Sequence, residues 1–152
     1  MTSGQWVLVV ALVIAVGFGV YRLAVDGRFR GTHKVRGAAP AEAGAPSAGG
    51  LDVLADTEYA GQLGERATLV QFSSAFCAPC RVARRVLADI AHATPGVLHI
   101  EIDAEHHLAL VRRLGVQRTP TTLVLDPHGR EVTRAAGAPT TAQVLTVLGQ
   151  LS

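Results

Sequence analysis

The chain has 152 residues, 49% of them hydrophobic, and a formal net charge of +2. That is room for one ordinary domain with an appendage, and enough apolar content for a core. Two cysteines are too few for a disulfide-stapled scaffold, and near-neutral charge excludes a fold built around a basic nucleic-acid patch.

The charge is unevenly placed. Five Lys/Arg (Arg22, Arg28, Arg30, Lys34, Arg36) face one Asp26 between residues 22 and 36, whereas from Leu51 onward nine Lys/Arg face ten Asp/Glu. The basic excess therefore sits outside the part that folds.

Residues 6–24 read WVLVVALVIAVGFGVYRLA, with no charge from Trp6 to Tyr21. An apolar run of about 18 residues can span a bilayer. Trp6 and Tyr21 mark its ends as interfacial aromatics, and Arg22 can snorkel outward. A cleaved leader would begin with basic side chains, which MTSGQ lacks. The expectation is a single-pass anchor over residues 1–24 in the cell membrane. The basic cluster follows the span, so the positive-inside rule puts the C-terminal part in the cytoplasm, with an extracytoplasmic placement as the alternative. Residues 25–50 then form a basic juxtamembrane segment and an Ala/Gly/Pro linker, GAAPAEAGAPSAGG, with too little to bury to order itself.

The folded domain is expected over residues 51–152. A strand at Leu51–Leu54 and a short helix at Asp56–Leu63 open it. ATLVQFS, 67–73, reads as a buried strand. A helix follows the cysteines, with Val82, Val86 and Ile90, flanked by Ala83, Leu87 and Ala91, as its inward side and Arg81, Arg85 and Asp89 on another face. Pro95-Gly96 ends it. VLHIEI, 97–102, is a strand. Asp103 serves as N-cap of a helix reaching Leu114, with Gly115 at its C-terminal cap. TTLVLD, 121–126, and REVTRAA, 130–136, form a hairpin about the turn DPHG. Thr140 and Gln143 make a capping box for a last helix that turns Val144, Leu148 and Leu151 inward. This order implies an α/β fold: a mixed sheet with helices on both faces.

The chemistry is concentrated in SSAFCAPCRV, residues 73–82. Cys77 and Cys80 lie at a strand-to-helix junction, where unpaired backbone N–H groups favour a thiolate. Pro79 suits the first helical turn. The spacing places an attacking and a resolving thiol within one turn. A zinc site would need about four ligands, and the histidines (33, 92, 99, 106, 107, 128) show no finger-type spacing; no metal or other cofactor is expected. A disulfide closing so small a loop would be a poor structural staple. A C-x-x-C in an alternating α/β pattern reads as a redox motif.

The segments TLVQFSSAFCAPCRVARRVLADIA, GVQRTPTTLVLDPHGREV and AAGAPTTAQVLTVL resemble, in order and spacing, the motifs of the thioredoxin family. The resemblance covers residues 67–151. It implies a thioredoxin-like fold and a thiol–disulfide oxidoreductase, with Cys77 attacking and Cys80 resolving. It further implies a cis-proline at Pro120, a substrate strand received at the Thr119 backbone, and a substrate surface that includes Phe76, Ala78, Pro79 and Gly137. From sequence alone Pro120 is equally a strand-opening proline. The chain departs from the family pattern at Phe76 (usually Trp), Ala78 (usually Gly), His99 (roughly where the family has a buried Lys) and above all Gln71, where thioredoxins carry a buried Asp that helps deprotonate the resolving cysteine. The expected partners are protein disulfides and a redox donor or acceptor protein, together with the membrane through residues 6–24. The rival readings are an outward-facing thioredoxin-like protein of cytochrome c maturation, and a module whose cysteines hold a soft metal or dock a membrane partner. The first usually carries a mid-domain insert, which is lacking between Thr94 and Val97.

Overall fold

The computed structural model describes residues 3–25, 29–31 and 52–151. The linker expected at 37–50 and Leu51 lie outside the described residues. Helix α1 spans Ser3–Val25, and its described side chains, 5–21, are exposed all round. Among the described residues no helix is long and apolar enough to cross a membrane.

The remaining elements are β1 (Phe29–Gly31), β2 (Ala67–Ser73), α2 (Ala78–Ala93), β3 (Val97–Asp103), α3 (Leu108–Arg113), β4 (Thr121–Leu125), β5 (Glu131–Ala136) and α4 (Thr141–Gly149). The centre is a mixed four-stranded sheet ordered β5-β4-β2-β3, to which β1 adds antiparallel on the β5 edge. β2 runs parallel to β3 and antiparallel to β4. Every residue of β2 and β4 is buried, because both are interior strands covered on two faces. The two faces make two cores. Val70, Phe72, Ile100, Ile102 and Leu123 pack with Leu110 and Leu114 around α3. On the other side Leu69, Val97 and Val124 pack with Leu87 and Ile90 of α2 and Val144 and Leu148 of α4.

The expected hairpin forms. Gly129 N–H donates to Asp126 O at 3.0 Å, and Gly129 has φ +75°, a conformation that favours glycine. The Thr140–Gln143 capping box is present at α4. Gly115, at φ +62°, closes α3 by donating to Arg112 O at 3.2 Å.

Three local expectations are corrected. Residues 53–61 form successive turns rather than a strand and a helix, with Thr57 N–H to Leu54 O and Ala60 N–H to Thr57 O both at 3.0 Å. Side chains capture the backbone here: Asp52 accepts the Leu54 N–H at 2.9 Å, and the Thr57 hydroxyl donates to Leu54 O at 2.7 Å. Val53 and Leu54 are still buried, so the segment fills the core without regular structure. Asp103 ends β3 instead of capping α3. Its carboxylate accepts the Glu105 N–H at 2.8 Å and bends the chain into a turn, so α3 starts only at Leu108. On α2 the buried stripe is Cys80, Ala83, Leu87 and Ile90, and Val82 stands 55% exposed. The helix turns toward the sheet at the mixed three- and four-residue spacing that a 3.6-residue period dictates, and Val82 falls off that stripe.

His99 projects from β3 with its Nε2 buried and without a described partner. Burial lowers its pKa below the ordinary 6.5; Glu101 opposes this and Arg84 adds to it. A group with a depressed native pKa contributes stability that is complete above its unfolded pKa and lost as pH falls through the native one.

Two outcomes are expected. Leu87→Ala should cost about 2–5 kcal/mol in urea unfolding of the oxidised protein, and Val82→Ala about 0.5 kcal/mol or less. Stability should decline as pH is lowered from about 6.5, and His99→Gln should flatten that part of the profile, measured as the urea midpoint against pH.

Candidate active site

β2 delivers the chain to the site, and α2 carries it away. Cys77 is the N-cap residue of α2, with extended backbone at φ −94° and ψ 99°, and its sulfur accepts the Cys80 N–H at 3.1 Å. Pro79 occupies the first turn, where its missing N–H is no loss. Cys77 and Cys80 are joined in a disulfide, their Cα atoms 5.2 Å apart. The two sulfurs differ in environment. Cys77 is half-buried, Cys80 is 3% exposed, and Phe76 beside them is fully exposed. The cap that satisfies a helix-end donor also favours a negative sulfur at Cys77, whereas Cys80 is held inside.

The other expected site residues are brought to the same end of the sheet. The Thr119–Pro120 peptide bond is cis. The hydroxyls of Ser74, on the loop leading to Cys77, and Thr119 lie 3.1 Å apart, within hydrogen-bond distance. Gly137, at φ +101°, donates its N–H to Pro120 O at 2.7 Å. Thr119, Pro120 and Gly137 are thus tied to each other and to the cysteine loop. Ala78 and Pro79 sit exposed at the helix start.

Behind the disulfide the protein is neutral. Gln71 is fully buried and donates from Nε2 to Cys80 O at 3.0 Å. Its Oε1 has no described partner, nor does Oγ1 of Thr122, the residue directly opposite on β4. Neither side chain ionises near neutral pH, so burial demands no carboxylate desolvation.

The ionisable groups lie to one side instead. A groove of about 590 Å³ reaches both cysteines and runs between α2, the end of β3 and the turns before β2. Its charges are paired across elements. Arg84 Nη2 meets Glu101 Oε1 at 2.6 Å, His106 Nδ1 meets Asp103 Oδ2 at 2.9 Å, and His107 Nε2 meets Glu58 Oε1 at 2.9 Å. The Glu105 backbone N–H, and after it the His106 ring, hold the Asp103 carboxyl below the usual carboxylate range. Reading the sequence for cysteine chemistry missed this groove and missed Ser74. The signal was the spacing Asp-x-x-His, which sets a carboxylate and an imidazole side by side in a turn. Among the described residues no three His, Cys, Asp or Glu side chains form a metal-binding group.

Residues 54–152 match the sequence model of the thioredoxin-like domain. An H-type thioredoxin of Nicotiana tabacum is 32% identical over 49% of this chain and 58% of its own length. A thioredoxin of Chlamydia muridarum is 28% identical over 57% of this chain and 84% of its own. The chain spans about half the length of the first curated relatives it matches. Among solved structures, a thioredoxin of Nicotiana alata is 26% identical with a TM-score of 0.51, covering 57% of this chain and 73% of that one. One from Halobacterium salinarum, 22% identical with a TM-score of 0.53, covers 57% of this chain and 75% of its own and shares the fold. By the residues matched and by its architecture, this chain belongs to the thioredoxin-like family.

Proposed function

We propose that this chain is a membrane-tethered thiol–disulfide oxidoreductase that reduces protein disulfides through the Cys77–Cys80 dithiol. The observation that carries the reading is the asymmetry of the pair: one sulfur at the helix cap, the other sealed behind it. Cys77 thiolate attacks a substrate disulfide, forming a mixed disulfide and expelling the first substrate thiolate. Cys80 thiolate then attacks the Cys77 sulfur, expels the second and closes the Cys77–Cys80 bond. The substrate gains two electrons and two protons, and the domain loses them, so a partner dithiol must restore the reduced pair. Phe76, Ala78, Pro79, Thr119, Pro120 and Gly137 form the surface around the sulfurs that receives the substrate segment. The relatives carrying the name thioredoxin support this reading over a metal-holding module.

Among the described residues no helix is long and apolar enough to cross a membrane, so the tether rests on the sequence, whose run from Trp6 to Tyr21 carries no charge. The side chains from Trp6 to Tyr21 are uncharged and exposed. Residues 26–28 separate α1 from β1, which pairs Phe29 with Ala135 next to the Ala136–Thr121 pair. The tether thus joins the sheet at the end that carries Pro120 and the disulfide. The basic flank after α1 favours a cytoplasmic domain.

Two results are expected. In an insulin-reduction assay Cys77→Ser abolishes turnover, and Cys80→Ser accumulates mixed disulfides separable by non-reducing electrophoresis; a Cys80→Ser chain that captures no substrate would refute the assigned roles. In gently reduced cells a membrane-impermeant maleimide labels the two cysteines only after lysis. Labelling of intact cells would place the domain outside and favour the cytochrome c maturation reading.

A further inference from the structure

The second step of the reaction proposed above needs a proton acceptor. Cys80 must become a thiolate while almost completely enclosed. Gln71, the polar side chain in contact behind it, is bonded to the Cys80 carbonyl and has no basic form. Cys80 is also among the residues that line the groove, together with several ionisable groups.

Hydrogen bonding distinguishes the two imidazoles there. His107 has both nitrogens engaged, Nδ1 with Asp103 O at 3.0 Å and Nε2 with Glu58. His106 has only Nδ1 engaged, with the Asp103 carboxylate. A carboxylate can only accept, so it selects the tautomer with hydrogen on Nδ1, and Nε2 is left as a lone pair. The other groove groups are committed elsewhere or carry the wrong charge. Glu101 is held by Arg84, and Glu58 by His107. The Tyr59 phenol is pushed further toward its neutral form, first by burial and then by Glu58. Arg81 and Arg84 of α2 are cations and favour a neighbouring thiolate. Glu105, next to His106, does not line the groove, whereas His106, itself exposed, does.

We propose that His106 is the proton acceptor for Cys80, oriented by Asp103 as a positioning residue, and that the groove is the path the proton takes. The Cys80 S–H bond breaks as a groove water takes the proton and passes one of its own to His106 Nε2, giving Cys80 thiolate and an imidazolium paired with Asp103. The thiolate attacks Cys77, the substrate thiolate leaves, and the imidazolium returns its proton to that thiolate or to solvent. No other reactant is consumed. This inference rests on the oxidoreductase reading.

The test follows one turnover of the reduced full chain by stopped flow, with a small aromatic disulfide that liberates a coloured thiolate. The first release reports attack by Cys77, and the second reports resolution by Cys80. In the wild type the second rate should show an inflection with pH as the accepting group is protonated. His106→Gln should slow it about tenfold at neutral pH, the low side of what general bases contribute, and remove the inflection while sparing the first release. Asp103→Asn should slow the second release as well, and His99→Gln should leave the profile unchanged. Adding Gln71→Asp to His106→Gln, which supplies a base from behind, should recover the second release. A wild type that shows both releases and a superimposable His106→Gln profile would overturn the proposal alone, as would an inflection that disappears in His99→Gln. A wild type that never gives the second release would overturn the reductase reading and this inference together.

Discussion

The first turn of α2 depends on one sulfur. Helix ends leave N–H groups unpaired, and the usual remedy is a side-chain oxygen at the cap. Here the Cys77 sulfur takes that position and accepts the Cys80 N–H. Its location is set from below, because Ala83, Leu87 and Ile90 anchor α2 on the sheet and β2 ends only a short loop away. The same donor that stabilises the helix start stabilises negative charge on the sulfur. Packing of α2, geometry of the cysteine pair and chemistry of the exposed thiol are therefore one constraint, and a change that tilted α2 would disturb all three.

That constraint leaves the inner cysteine in a neutral interior. Gln71 and Thr122 face each other across β2 and β4 with no formal charge, where an ionised carboxylate would carry a large desolvation cost unless paired. The solvated groove carries ion pairs instead: α2 with β3, the turn after β3 with its own strand end, and the same turn with the segment before β2. Such exposed pairs contribute little to stability. They line the same groove as both sulfurs.

Most of the architecture was legible because it rests on strong periodic signals. The unbroken apolar run of β2, the turn chemistry at Asp126–Gly129 and the capping box at Thr140 each specify one local answer, and they give the expected mixed sheet of four strands, to which β1 from outside the expected domain adds at the β5 edge. The reading failed where short polar side chains outcompete the helix. Asp52 and Thr57 turn 53–61 into successive bends, and Asp103 delays α3 by using its carboxylate on Glu105. At the site, the Cys77–Cys80 pair was legible from its spacing, whereas the cis bond at Pro120 came only from the family resemblance. The groove was not, because Glu58, Arg84 and His106 are far apart in sequence and meet only through the parallel β2–β3 pairing and the packing of α2 beside it.

The site thus has two sides with different chemistry. One is formed by Phe76, the cis Thr119–Pro120 bond and Gly137, and is mostly backbone and apolar surface. An extended peptide is received best by such a surface, since main-chain groups can pair with it whatever its side chains. The other is the charged groove. Under the proposed function, the first would set which segments reach Cys77, and the second would set the protonation of the inner thiol. Gln71 makes that separation sharper, because its Nε2 bond to the Cys80 carbonyl holds the inner cysteine in position without contributing an ionisable group of its own.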